Sequence, residues 1–177
     1  EGETALFNSY SGSSVNNDAL VTFRGRTQGG QDTTRVSGVF SRDMSVPASA
    51  VQAVAVQGQQ VPYPNNLEAT FNEFPSFPRI DAGSNLIATR GQTNPVWKYT
   101  PTGGDETRVG TTGIYATPGG LLTTGEQKLG MVFPQFQVPQ PAVGANNLPF
   151  EQFPGAPAAF DGQYIAFKGN YADENGV

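Results

Sequence analysis

The sequence predicts an all-β protein built from repeated four-stranded antiparallel sheets, and three observations support this fold class. Its 177 residues include 22 glycines and 14 prolines, a composition typical of many short strands joined by turns. No window of about 11 residues has helical apolar spacing without also containing glycine or proline. One aromatic motif, followed each time by an apolar run, occurs three times.

The three copies share their internal spacing. Each begins with an aromatic-x-x-aromatic motif, and each apolar run ends in a basic residue and glycine. The aromatic pairs are Phe7/Tyr10, Phe71/Phe74 and Phe150/Phe153, and the basic residues are Arg24, Arg90 and Lys168. The first aromatic and the basic residue are 17, 19 and 18 positions apart. We therefore predict a single β-repeat domain, with repeats at residues 1–66, 67–145 and 146–177.

The first strand of each repeat is the apolar run, at residues 20–25, 86–91 and 164–169. Its β-branched and aromatic side chains favour a pleated strand. Because apolar residues occupy consecutive positions, we expect this strand to be covered on both faces. The second strand enters through glycine, at residues 38–41 and 113–117.

The third strand and its closing turn complete each repeat. We predict this strand at residues 51–57 and 121–124, with glycine turns at 58–60 and 125–127. A proline-bearing segment then leads into the next aromatic motif. The remaining segments, at residues 92–112 and 131–148, are predicted to be long insertion loops that carry partner contacts.

Both ends of the sequence look like parts of further repeats. Residues 2–4 resemble the turn that closes a third strand, and residues 176–177 match the opening of a second strand. We therefore expect about two full repeats with partial flanking repeats. Such a chain is an excerpt of a longer array, or another chain completes its broken repeat.

Composition excludes several classes of function. The chain has no cysteine and no histidine, which rules out disulfides, zinc sites of the Cys/His type and His-dependent triads. A net charge of −5 with scattered basic residues argues against nucleic acid as a partner. No apolar run is long enough for a transmembrane helix. No motif selects a pair of catalytic carboxylates, so we expect no enzyme activity, no cofactor and no metal.

Repeated residues are candidates for contacts, although repetition also suits a purely structural role. Arg24, Arg90 and Lys168 could form a ring of cations, or could end buried strands and reach a carboxylate or water. The paired aromatics could stack on sugars, or could pack between sheets. In both cases the structural interpretation is favoured, because positions that repeat usually encode the fold.

The insertion at residues 92–112 holds another candidate contact. Trp97 stands between Val96 and Lys98, with Tyr99 next along the chain. A single tryptophan beside a lysine and a tyrosine is typical of an interface anchor. Packing of Trp97 within the fold is nevertheless the favoured interpretation.

The order of these motifs resembles the repeats of secreted bacterial β-propeller-like proteins, which often carry a carboxy-terminal surface-sorting signal. The residues that carry the likeness are 161–169, 113–116 and 122–125. The long insertions depart from that pattern, and no sorting signal is present. The resemblance implies four-stranded sheets packed as propeller-like blades or face to face, and it implies no particular reaction.

These observations predict a non-catalytic structural or protein-interaction module, extracellular or otherwise exported, that acts as a subunit of a larger assembly. Its partners would be other proteins or copies of itself. Three alternatives stay open: a carbohydrate-binding module using the aromatic residues, a propeller segment of a hydrolase with its catalytic residues elsewhere, and a peripheral subunit of a membrane complex.

Overall fold

The structure, a computed structural model, describes only part of the chain. The described residues are 7–27, 36–60, 70–94, 98–99, 107–108, 112–117, 130–134, 155–157, 159–161 and 164–168. Within these ranges every regular element is a β-strand and every strand pairing is antiparallel. The predicted all-β class is confirmed.

The first sheet has five strands. They are β1 (Phe7–Tyr10), β2 (Ser14–Val15), β3 (Leu20–Thr27), β4 (Ser37–Asp43) and β5 (Gln52–Val56). The order is β1-β3-β4-β5, and β2 also pairs with β3. Since β4 occupies the other edge of β3, the short strands β1 and β2 lie end to end along one edge. The sheet is therefore four ribbons wide, with an interrupted first ribbon.

The second sheet has the same plan. Its strands are β6 (Thr70–Glu73), β7 (Arg79–Ile80), β8 (Ile87–Asn94), β11 (Thr112–Ala116) and β12 (Gly130–Pro134). They are ordered β6-β8-β11-β12, and β7 also pairs with β8. Two further strand pairs complete the described elements: β9 (Lys98–Tyr99) with β10 (Thr107–Arg108), and β13 (Ala159–Phe160) with β14 (Ile165–Ala166).

The two sheets also agree in register. In the first sheet Gly25 pairs with Gly38, and in the second sheet Gly91 pairs with Gly113. The basic residue before each of these strand glycines faces an aliphatic residue: Arg24 pairs with Val39, and Arg90 with Ile114. The same sequence motif therefore takes the same position in both sheets.

Paired glycines make room for an aromatic ring on the sheet. A Cβ added at Gly91 would lie 2.8 Å from Phe71 and 3.0 Å from Tyr115, and one at Gly113 would lie 3.0 Å from Tyr115. In the first sheet a Cβ at Gly25 would meet Phe7 at 2.8 Å. The rings thus lie close against the strand glycines, which explains why glycine follows the basic residue.

The main hydrophobic core lies between the two sheets. The first sheet contributes Val39, Val54 and Ala55, and the second contributes Phe71, Phe74, Ile80, Ile87 and Tyr115. All of these side chains are buried. Burial of large apolar side chains contributes roughly 1.5–3 kcal/mol each, so each sheet depends on the other for cover.

The structure corrects several expectations. The aromatic motifs, to which the sequence assigned no strand, lie at the edge ribbon, where residues 7–10 form β1 and residues 71–73 belong to β6. The insertions predicted as loops contain β9 and β10 and begin with the ends of β8 and β12, so the prediction was wrong for residues 92–94, 98–99, 107–108, 112 and 131–134. The other residues of both insertions lie outside the described residues. The strand predicted at residues 121–124 lies outside the described residues.

The apolar run is buried on both faces in the second sheet but not in the first. In β8, Ile87, Ala88 and Thr89 are all fully buried, as predicted. In β3, Leu20, Val21 and Phe23 are only half-buried, so the expectation was wrong for the first sheet. The run has the same chemistry in both places, and only its neighbours differ.

We predict that Gly91→Ala destabilises the protein by about 1–3 kcal/mol, because the new methyl group would displace two buried rings that have no space to move. Urea unfolding followed by circular dichroism measures the change. Gly155→Ala is the matched control, since nothing lies within 4 Å of its Cβ position. Equal stability of the two variants would contradict the ring-on-glycine explanation.

Candidate functional site

The surfaces on which sheets meet are the best-formed candidate site in the described part of the chain. One side of the first sheet carries Val39, Val54 and Ala55, which we call the aliphatic face. The opposite side of the same sheet carries Phe7, Tyr10, Phe23 and Phe40, which we call the aromatic face. The aliphatic face covers Phe71, Phe74 and Tyr115 of the second sheet.

Asn16 joins the two sheets through every polar atom of its side chain. Its Oδ1 accepts hydrogen bonds from the backbone N–H groups of Asp18 (3.1 Å) and Leu20 (2.8 Å), which closes the turn before β3. Its Nδ2 donates to the carbonyl of Ser84 (2.8 Å) and to Oδ1 of Asn85 (2.9 Å), in the second sheet. The side chain is buried, and all four hydrogen bonds are made.

A turn closed by a backbone hydrogen bond precedes the apolar run in all three copies, although the turns differ in length. The backbone N–H of Asn16, Asp81 and Asp161 donates to the carbonyl of Leu20, Leu86 and Tyr164, respectively. Each donor is a short polar residue that suits a tight turn.

Further polar contacts cross between the sheets at their edges. The N–H of Asn17 donates to the carbonyl of Ala82 at 2.9 Å, and the N–H of Ile80 donates to Oγ of Ser14 at 3.3 Å. Arg26 forms an ion pair with Glu73. These contacts fix the register of one sheet on the other, which an apolar core alone does not do.

The repeated basic residues lie at corresponding positions but in different surroundings. Arg24 is half-buried, and its Nη1 donates to the carbonyl of Phe74 in the next sheet at 3.3 Å. Arg90 is half-buried, burial lowers the pKa of its guanidinium, and its Nε finds no partner among the described residues. Lys168 is exposed. The described contact is from Arg24 to a backbone carbonyl, whereas the sequence suggested a carboxylate or water.

Tyr115 is the largest fully buried side chain of the core. Its ring packs on Phe71, with centroids 5.0 Å apart at 78°. Its hydroxyl has no hydrogen-bond partner among the described residues, and burial raises its pKa. The corresponding residue of the first sheet is Phe40, so the hydroxyl is not required by the fold.

The aromatic face carries four rings in mutual contact. Phe7 lies 4.6 Å from Phe40, 5.8 Å from Tyr10 and 6.0 Å from Phe23 between ring centroids. Tyr10 is 62% exposed, whereas the corresponding Phe74 of the second sheet is fully buried. The first sheet thus presents the motif that the second sheet buries.

The second sheet in turn contacts the third copy. Ile114, the neighbour of Tyr115 on β11, is fully buried and packs against Ile165 and Phe167. Since consecutive strand residues point to opposite faces, this contact lies on the side away from the first sheet. Nε of Arg79 also donates to the carbonyl of Pro157, at 3.2 Å.

The remaining predicted contact residues are only partly described. Trp97, Phe150 and Phe153 lie outside the described residues. Lys98 and Tyr99 form strand β9, which pairs with β10. Neither sequence nor structure therefore joins these residues to the surfaces above.

A groove of about 260 Å³ lies near the end of β4. Its lining residues are Asp18, Leu20, Ser41, Arg42, Asp43, Ser49, Ala50, Gln52 and Asn85. Hydrogen bonds from the hydroxyl and the N–H of Ser45 lower the pKa of Asp43. The described residues include no cluster of three potential metal ligands and no helix long and apolar enough to cross a membrane.

Comparisons with protein-family models, with curated proteins and with solved structures found no match to this chain. Function is inferred below from the sheets and their contacts.

We predict that Asn16→Asp lowers the free energy of unfolding by about 1–3 kcal/mol at neutral pH. A carboxylate cannot donate to Ser84 and Asn85, and it would place a buried charge against their oxygens. Asn17→Asp is the control, because Asn17 is exposed and uses only its backbone N–H. Urea denaturation of both variants is the measurement, and a harmless Asn16→Asp would refute the joining role.

We predict that Tyr115→Phe is neutral or stabilising, by up to about 1 kcal/mol, because it removes a buried hydroxyl that has no described partner. The raised pKa means that the folded state holds its proton more tightly, so stability falls as the pH rises above about 10. Tyr115→Phe should lose less stability over that range. Tyr164→Phe, at an exposed position, should leave the fall unchanged.

Proposed function

We propose that this protein is a non-catalytic structural and protein-interaction module whose repeated sheets stack front to back within a larger assembly. One observation carries the proposal: the first sheet buries the aromatic side of the second copy, and the second sheet packs against the third copy in the same direction. The aliphatic face covers Phe71, Phe74 and Tyr115, and Ile114 covers Ile165 and Phe167.

The interpretation as stacked repeats is supported by features that the copies share. Strand order, glycine pairing and the turn before the first long strand are shared between the first two sheets. The third copy contributes the equivalent turn and strand pair. Units of this kind hide their apolar surface by stacking on neighbours, and such scaffolds serve as binding surfaces more readily than as reaction centres.

We further propose that the sheets are arranged as propeller-like blades around an axis. Strand β7 contacts both β2 and β13, so the corresponding short edge strands of the three copies meet in series. Meeting inner edges are what radial packing of four-stranded blades requires. Export to the cell exterior completes the proposal, and the resemblance to secreted repeat proteins is its support.

Sedimentation velocity of the full chain tests the proposed function. We expect species heavier than the 18.7 kDa chain to grow with protein concentration and to persist at high salt, because apolar faces are not screened by ions. A compact monomer with high thermal stability at every concentration and salt level would overturn the proposal.

A further inference from the structure

The aromatic face of the first sheet is partly exposed, whereas the corresponding surface of the second sheet is buried. In the second sheet, Phe71, Phe74 and Tyr115 are no more than 1% exposed under the aliphatic face. In the third copy, Ile165 and Phe167 lie against Ile114. In the first sheet, the corresponding Tyr10 is 62% exposed, and Phe7 and Phe23 are only half-buried.

We propose that the aromatic face is a docking surface for one further β-sheet, presented by a protein partner through small and β-branched side chains arranged like Val39, Val54 and Ala55. The proposal rests on the proposed function, because it names the partner chemistry for the same stacking. It assigns a binding role to Phe7, Tyr10, Phe23 and Phe40.

The shape of the aromatic face supports this occupant. A Cβ at Gly25 would lie 2.8 Å from Phe7 and 3.3 Å from Phe40, and one at Gly91 would meet Phe71 and Tyr115 in the same way. Both sheets therefore carry two rings laid over a glycine at the same register position. A sheet surface that packs against the two rings of the second sheet should therefore also pack against the two rings of the first sheet.

The chemistry of the face points the same way. The exposed Tyr10 and the half-buried Phe7 and Phe23 form a partly exposed apolar patch over the buried Phe40, and apolar patches mark interaction sites on soluble proteins. The cover used inside this chain is aliphatic, in the contact from Val39, Val54 and Ala55 and in the contact from Ile114. An aliphatic sheet therefore continues an interface that the molecule already uses twice.

The test adds such a sheet to the full chain. A duplicate of residues 1–69 is fused ahead of Glu1, so that the duplicate presents its own aliphatic face to the original aromatic face. Tyr10→Trp in the original copy, in a Trp97→Phe background, reports on cover. Tyr164→Trp is the matched probe, since Tyr164 is 73% exposed and lies elsewhere.

We expect the tryptophan at position 10 to shift its emission to the blue and to become several-fold less accessible to acrylamide when the duplicate is present. The tryptophan at position 164 should not change. The tandem chain should unfold in one transition with a larger denaturant slope, because more surface is buried. Val54→Asp in the duplicate alone should abolish the shift at position 10.

Other outcomes overturn the proposal. An unshifted probe at position 10, or a duplicate that stays unfolded, means that the face does not accept such a sheet. A probe shift in the parent chain that grows with its concentration identifies a second copy as the occupant. A shift caused by added neutral oligosaccharide identifies a glycan platform.

The two proposals fail separately. If the parent chain associates while the tandem probe stays exposed, the docking surface is wrong and the proposed function stands. If the tandem probe is covered while the parent chain never associates, the docking surface stands and assembly is wrong.

Discussion

The fold depends on a hydrophobic core to which both five-stranded sheets contribute side chains. A four-ribbon sheet with apolar side chains on consecutive positions has two faces to hide, and it cannot cover either by itself. Val39, Val54 and Ala55 become buried only because Phe71, Phe74 and Tyr115 lie against them, and the reverse is equally true. The stability of each sheet is therefore tied to the presence of its neighbour.

Glycine and aromatic residues act together in this architecture. The strand glycines leave space on the sheet, and the rings of the edge ribbon and of the second long strand occupy it. The packing explains why Phe7 and Phe71 each precede a strand glycine by a similar distance along the chain. It also brings large rings close to the backbone at the centre of a sheet, where small aliphatic side chains of a neighbouring sheet can cover them.

Much of the fold could be predicted from the sequence, because residues close together in the chain specify most of its strands and turns. The apolar runs, the glycine-entered strands and the turn at Gly58, whose φ is +84°, were all located from local chemistry. The aromatic motifs could not be predicted to be edge strands, since a proline-flanked aromatic pair also suits a loop. Strand β12 was missed because Met131 falls within a segment rich in proline and glutamine, and its pairing with β11 is a long-range contact.

The candidate site followed less directly from the sequence. Repetition marked Phe71, Phe74 and Tyr10 in the same way, so it could not distinguish the two buried rings from the exposed one, which has the same motif and different neighbours. Asn16 gave no signal beyond an ordinary turn residue, because its two donations reach a segment almost seventy positions away.

The front and the back of each sheet differ, and this difference has a geometric consequence. A surface of rings that mates with a surface of small side chains makes a heterologous contact, in which every unit points the same way. Such contacts do not produce two-fold dimers. They yield a closed ring when the rotation from unit to unit divides a full circle, and an open helical fibre when it does not.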